Sequence, residues 1–163
     1  MDNLIFGDES IFSINVSIKN QLVNASIFCA SDEIGDRNKF ALLDTFATLL
    51  HNKIENYDYS LASKLINLDA AYIFSYITTG YENSENWRDS QKISSVWLTL
   101  DLSPSFDGDV FLLLSTPEVD RIIWKKLNSS KIKESSTSSG YILKQINRLL
   151  HSLPHEIQAG KYV

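Results

Sequence analysis

The change of hydrophobic period along the chain constrains its fold most strongly. Apolar side chains alternate with polar ones over residues 12–18 and again over residues 23–29, as in strands with one buried face. A short turn near Asn20 favours an antiparallel hairpin. Over residues 38–54 the apolar positions instead recur every three or four residues, as on one face of a helix. The pattern predicts a sheet that packs against helices.

The middle of the chain continues the helical pattern and then returns to strands. Helical spacing runs from residue 61 to Gly80, and the polar residues 81–91 predict a loop. Alternation over residues 95–102 predicts a strand that an Asp-Gly turn separates from the next. Residues 110–114 are continuously apolar, which is typical of a central strand buried on both faces.

The closing segments predict two more strands and a last helix. Residues 119–125 alternate as a strand, residues 131–134 predict a short edge strand, and the serine-rich residues 135–139 predict an exposed loop. The order β-β-α-α-β-β-β-α predicts an α+β fold. We expect a mostly antiparallel sheet of about five or six strands with helices packed on one face.

Helix boundaries are predicted from capping residues. Asp36 or Asn38 is the expected N-cap of the first helix, and Ser138 or Ser139 that of the last. Pro154 is expected to end the last helix, since proline cannot continue a helical hydrogen-bond pattern.

Length and cysteine content narrow the class of protein. One domain over residues 1–163 is predicted from the length. Cys29 is the single cysteine, so an internal disulfide is impossible, and its apolar surroundings predict a buried packing residue. The start has no basic segment before an apolar stretch, and no run approaches the roughly 18 apolar residues of a membrane helix. A cytoplasmic protein without a membrane anchor is predicted.

Charge favours a protein partner over nucleic acid. The formal net charge is −5 at pH 7. Residues 82–109 hold six acidic and two basic side chains, whereas residues 121–148 hold seven basic and one acidic. Contacts to phosphate need a basic face, so nucleic acid is not an expected ligand. A basic protein partner is favoured, because complementary fields raise the association rate.

No group of residues predicts a catalytic, cofactor or metal site. His151 and His155 have the spacing of a helical metal pair, but Pro154 breaks the helix between them. His51 is expected at the surface. The six glycines form no phosphate-binding loop, and no serine lies in the glycine-flanked turn of a hydrolase nucleophile. The chain is predicted to be a binding protein, with no cofactor, metal or catalytic residue.

The tryptophans divide into two groups. Trp97 and Trp124 lie in predicted strands and are expected to pack. Trp87 lies in the acidic segment 82–89, and a tryptophan surrounded by acids is typical of a protein-interface anchor. The alternative is that Trp87 folds back onto the domain.

Short motifs spread over the chain are similar to those of one bacterial family. Ile5-Phe6-Gly7-Asp8 precedes the strand that begins Phe12-Ser13-Ile14, and a second Gly-Asp pair, Gly35-Asp36, follows the next strand. Arg121-Ile122-Ile123-Trp124 and the closing amphipathic helix are also similar to the family pattern, whereas residues 57–91 match no motif. Together they resemble the immunity proteins of bacterial polymorphic toxins, specifically the immunity protein 42 family.

The resemblance implies a non-catalytic inhibitor. Such proteins bind the C-terminal domain of a delivered toxin, often from a contact-dependent growth inhibition system, and protect the producing cell. Many of these toxins are nucleases with basic active sites, which an acidic face would cover. The free chain is predicted to be a monomer. Two alternatives stay open: an acidic secretion chaperone, which would dimerise, and a small enzyme whose catalytic residues are dispersed in sequence.

The predicted contact face combines the acids of three loops. Simple solvation is the alternative for each residue, since aspartate in turns also bonds to the local backbone. The predicted partner-binding residues are Asp32, Glu33, Asp36, Glu82, Glu85, Trp87, Asp89, Asp107 and Asp109.

Overall fold

The computed structural model describes residues 2–153 and confirms the α+β class. Within these residues the strands form two antiparallel sheets, one of five strands and one of three. The sequence predicts one sheet, because alternation identifies a strand but not the strand that it pairs with. Both sheets contribute to one hydrophobic cluster, in which the rings of Phe12 and Phe111 lie 5.7 Å apart.

The predicted hairpin is confirmed as the centre of the larger sheet. The strands of this sheet are β1 (Asp2–Asp8), β2 (Phe12–Lys19), β3 (Leu22–Cys29), β4 (Asp32–Ile34) and β5 (Ala41–Leu42). β2 and β3 pair in antiparallel register, β1 adds to β2, and β4 and β5 both pair with β3. The three added strands are not predicted from sequence. β1 is an edge strand with mostly exposed side chains, and β4 and β5 are only three and two residues long.

Both Gly-Asp pairs lie where the backbone requires glycine. Gly7 has a φ of +106° and Gly35 a φ of +109°, which L side chains rarely adopt. A Cβ atom on Gly7 would overlap the carbonyl oxygen of Phe12, and one on Gly35 would lie 3.0 Å from the carbonyl oxygen of Ala25. Each glycine therefore permits a close approach of two backbone segments.

The smaller sheet has the order β6 (Val110–Ser115), β7 (Val119–Lys125) and β8 (Lys133–Ser138). All of β6 is buried, as its apolar run predicts. β8 includes serines that the sequence assigns to a loop. It pairs with β7 through the backbone while its side chains stay largely exposed, so no apolar alternation marks it.

The strand predicted at residues 95–102 is wrong. Ser94–Val96 form a 3-10 turn, and Asp101 has a left-handed φ of +55°. The hydroxyl of Thr99 accepts a hydrogen bond from the backbone N–H of Phe111, at 3.1 Å, where a paired strand would offer a carbonyl. The alternation reflects side chains buried against β6 rather than a strand ladder.

The helices are α1 (Leu43–Glu55), α2 (Tyr59–Leu65), α3 (Ala70–Glu82), α4 (Trp87–Ile93) and α5 (Tyr141–Ser152). The N-cap predicted at Asp36 or Asn38 is wrong, because residues 41–42 first pair with β3 and α1 begins after Leu42 without a side-chain cap. α1 and α5 pack on the larger sheet, and α2 packs on β6.

The helix predicted over residues 61–80 is two helices. Asp58 accepts a hydrogen bond from the N–H of Leu61 and begins α2, and Asp69 caps α3. Gly80 does not end α3, which continues to Glu82. The apolar spacing is continuous across both helices, so periodicity alone does not reveal the break that these caps mark.

α5 begins one or two residues later than predicted. Its N-cap is Gly140, with a φ of +74° and no side-chain cap, so the prediction of Ser138 or Ser139 is wrong. Ser138 ends β8 instead, and the hydroxyl of Ser139 donates to the carbonyl oxygen of Thr116. The predicted stop at Pro154 and the residue His155 lie outside the described residues.

Candidate partner-binding surface

Two of the three predicted acidic loops lie side by side. The backbone N–H of Asp36 donates to the carbonyl oxygen of Ser105 at 2.7 Å. The N–H of Gly35 donates to Oδ2 of Asp109 at 2.9 Å. Among residues 2–153, no hydrogen bond or ion pair links these loops to the third loop, residues 82–89.

Asp32 and Asp109 are occupied by bonds within the chain. Asp32 Oδ2 accepts from Trp124 Nε1 and from Lys133 Nζ, both at 2.9 Å, which joins the two sheets. Partial burial raises the pKa of Asp32, but these bonds and the charges of Lys126 and Lys133 outweigh it and hold the pKa below its ordinary value. Asp109 Oδ1 accepts from the N–H of Leu127 at 2.8 Å. Both carboxylates therefore serve the fold.

The other acidic side chains of these two loops form only surface contacts within the chain. Glu33 pairs with Arg37, four residues later in the chain, and the carboxylate of Asp36 accepts a hydrogen bond from the N–H of Asn38. The carboxylate of Asp107 lies 3.7 Å from Lys39 Nζ and is mostly exposed. Surface pairs of this kind leave a carboxylate accessible to a partner.

The third acidic segment, residues 82–89, runs from the last residue of α3 through a short connection into α4, where the sequence predicts a loop. Asn86 is the N-cap of α4: its Oδ1 accepts from the N–H of Asp89 at 3.1 Å, and its Nδ2 donates to Asp89 Oδ2 at 2.8 Å. Trp87 is therefore the first residue of a helix, and its side chain is 68% exposed. The alternative, that Trp87 folds back into the domain, is wrong.

A groove separates α4 from the junction of α1 and α2. This Trp87 groove has a volume of about 490 Å³. Arg88 places its guanidinium 5.6 Å from the centre of the Trp87 ring. Ser95 lines the same groove, and within residues 2–153 its buried hydroxyl has no hydrogen-bond partner. Exposed tryptophan and arginine beside a polar recess are typical of the anchors that dominate protein interfaces.

A second groove lies between α2 and α5. This α5 groove has a volume of about 910 Å³, and it shares Tyr59, which is 55% exposed, with the Trp87 groove. Leu143, Tyr59 and Pro117 supply its apolar surface. The exposed face of α5 contributes Lys144, Asn147, Arg148 and His151 to its rim.

The floor of the α5 groove is a closed hydrogen-bond network. The fully buried Asp120 accepts from the hydroxyl of Ser115 at 2.6 Å and from the N–H groups of Gly140 and Ile142 at 3.0 and 3.1 Å. The hydroxyl of Tyr57 donates to the carbonyl oxygen of Leu113 at 2.8 Å, and burial raises the pKa of Tyr57. Ser115 donates its proton to the Asp120 carboxylate, so this network holds the start of α5 against β6 and β7.

Within residues 2–153, no three His, Cys, Asp or Glu side chains lie close enough together to hold a metal ion. Cys29 is buried as predicted, and burial, reinforced by the charge of Asp32, raises the pKa of its thiol well above the ordinary value. None of the helices in this part of the chain has the length and apolar composition needed to cross a membrane.

The α5 groove is not predicted from sequence, although part of its signal is present there. Lys144, Asn147, Arg148 and His151 have the i, i+3, i+4, i+7 spacing of one helical face. The opposite wall comes from α2 and from the turn between β6 and β7, which only the tertiary structure brings near.

The family model described as immunity protein 42 matches residues 4–152 of the 163-residue chain. The matched range includes residues 57–91, in which no family motif is recognisable by eye. No curated protein and no solved structure matches the chain.

Proposed function

Because the chain belongs to the immunity protein 42 family, we propose that it binds a cognate toxin domain and neutralises it by covering the active site of that domain. Family membership supports an immunity function and a toxin protein as partner. The match over residues 4–152 is the observation that carries the proposal. The toxin domain is the C-terminal part of a delivered protein, met in the cytoplasm of the producing cell.

We further propose that the toxin is a nuclease. A nuclease needs a basic active site to bind phosphate, and the net charge of −5 on this chain favours association with such a surface. Complementary charge would steer the two proteins together and cover the site that the nucleic acid needs.

The proposed contact centre is Trp87 with the acids around it. Glu82 and Glu85 are exposed, and the side chain of neither forms a hydrogen bond or ion pair within residues 2–153, unlike those of Asp32 and Asp109. An exposed aromatic ring flanked by unpaired carboxylates offers both buried area and charge to a basic partner. Glu33, Asp36 and Asp107 would extend the acidic surface at its second location.

The test uses the C-terminal domain of the protein encoded by the gene immediately upstream, which we expect to be a large secreted toxin. Co-expression of the chain should restore growth to a bacterial host that produces this domain, and the two proteins should co-purify. Absence of rescue and of binding would contradict the immunity function.

Trp87→Ala should raise the Kd for this domain by about 30-fold or more, the effect of losing an interface anchor. Tyr72→Ala is the matched control, since Tyr72 is also an exposed aromatic residue on a helix. Calorimetric titration measures both variants. Equal affinities would place the contact surface elsewhere while leaving the immunity function intact.

A further inference from the structure

The α5 groove differs in charge from the rest of this acidic chain. Its lining residues include no aspartate or glutamate, whereas Lys144, Arg148 and His151 lie on its rim. Lys144 forms no ion pair within residues 2–153. Arg148 contacts the ring of Phe6 and the side-chain oxygen of Gln145, but no carboxylate neutralises it within the same residues.

Three other basic residues of the second half are paired within the chain. Arg121 pairs with Glu134 and also donates to backbone carbonyls of the α2–α3 connection. Lys126 and Lys133 both pair with Asp32. Within the described residues, Lys144 and Arg148 are not paired in this way and lie one helical turn apart on the exposed face of α5, whereas the unpaired Lys131 lies outside the groove.

The shape of the groove suits a peptide segment rather than a phosphate. Asp120 already accepts the N–H groups of Gly140 and Ile142, so a carboxylate of the chain itself occupies the start of α5. Leu143 and Tyr59 give an apolar surface between the cations and the hydroxyls of Ser60 and Ser63 on α2.

We propose that the α5 groove binds an acidic segment of the toxin domain. Carboxylates of the segment pair with Lys144 and Arg148, and an apolar side chain between them packs on Leu143 and Tyr59. The proposal rests on the proposed immunity function and adds a second contact of opposite sign to the acidic surface around Trp87. Two contacts of opposite charge fix the orientation of a partner and reject partners that lack the pattern.

The test compares two double charge reversals of equal net charge. Lys144→Glu with Arg148→Glu should raise the Kd for the purified upstream-encoded toxin domain by about 30-fold or more at low salt, and should lower the salt dependence of binding. Lys19→Glu with Lys131→Glu is the control, because both lysines are exposed and form no ion pair within the described residues. The control should keep wild-type affinity.

Further measurements keep the outcomes distinct. Lys144→Glu alone, which leaves the contact of Arg148 with Phe6 intact, should also weaken binding, and thermal unfolding should show that each variant is folded. Unchanged affinity in both groove variants would overturn this proposal alone. Failure of the unmodified chain to bind the domain would overturn the immunity function as well.

Two other ligands of the groove would each give a distinct experimental result. If a purified single-stranded oligonucleotide bound the chain and the double reversal abolished that binding, the groove would be a nucleic-acid site. If sedimentation showed a dimer that the double reversal dissociated, the occupant would be a second copy of the chain. Either result would overturn the proposal.

Discussion

Aspartate in this chain mostly holds the backbone. Asp58 and Asp69 begin helices, Asp109 ties two loops together, and Asp120 fixes the start of α5. Sequence does not separate these roles from that of an exposed contact residue, because both occur beside turns and glycines. Tertiary hydrogen bonds identify Asp32 and Asp109 as structural among the predicted contact residues, and they leave Glu82 and Glu85 available.

Lys53 gives a residue-scale prediction about pH. Burial lowers the pKa of Lys53 to about 8 from an ordinary value of 10.5, and the charge of Asp101 opposes this only in part. Between these two values the unfolded chain binds more protons than the folded chain, so stability rises with pH. From pH 7 to pH 9.5 this lysine should add about 2 kcal/mol to the free energy of unfolding.

Lys53→Met should remove that rise, whereas Lys19→Met, at an exposed lysine, should keep it. Urea unfolding at the two pH values measures the difference. An identical rise in the Lys53→Met variant and in wild type would show that another group causes it.

At the scale of elements, periodicity identified the parts that bury a regular apolar face. The β2–β3 hairpin, β7 and α5 are predicted because their apolar positions follow the period of the element, and β6 because it is a continuous apolar run. Periodicity located only the first residues of β8, as the edge strand predicted at residues 131–134, and it missed α4, because the side chains of both elements are mostly polar and exposed. It was wrong for residues 95–102, where buried side chains and a single bridge between Trp97 and Leu112 imitate a paired strand. The Trp87 segment was located from its composition, but the α5 groove depends on contacts between distant segments.

Asp120 gives an element-scale prediction about α5. Asp120→Ala removes the acceptor for two N–H groups at the start of the helix and for the hydroxyl of Ser115. Leaving buried donors unpaired should lower the free energy of unfolding by about 3 kcal/mol or more. Asp107→Ala, at a mostly exposed carboxylate, should cost less than about 1 kcal/mol. Equal effects in urea unfolding would show that α5 is held by its apolar face alone.

At the scale of the whole molecule, the chain presents two surfaces of opposite charge. The Trp87 groove and the α5 groove, with its basic rim, share the residue Tyr59. The sequence indicated the class of protein through two Gly-Asp pairs, and the structure explains both by a left-handed φ at Gly7 and Gly35. The charge and the location of these surfaces cannot be inferred without the fold, because segments 82–89 and 141–152 are far apart in the chain.

Stoichiometric titration of the toxin tests the central claim most directly, namely that the chain inhibits by occupying a surface and not by catalysis. Activity of the purified toxin domain is measured at a concentration well above Kd while the chain is added in steps. The account predicts a linear loss of activity that is complete at one equivalent, with the mass of both proteins unchanged. Complete inactivation at a small fraction of an equivalent, or a change in the mass of the toxin, would contradict it.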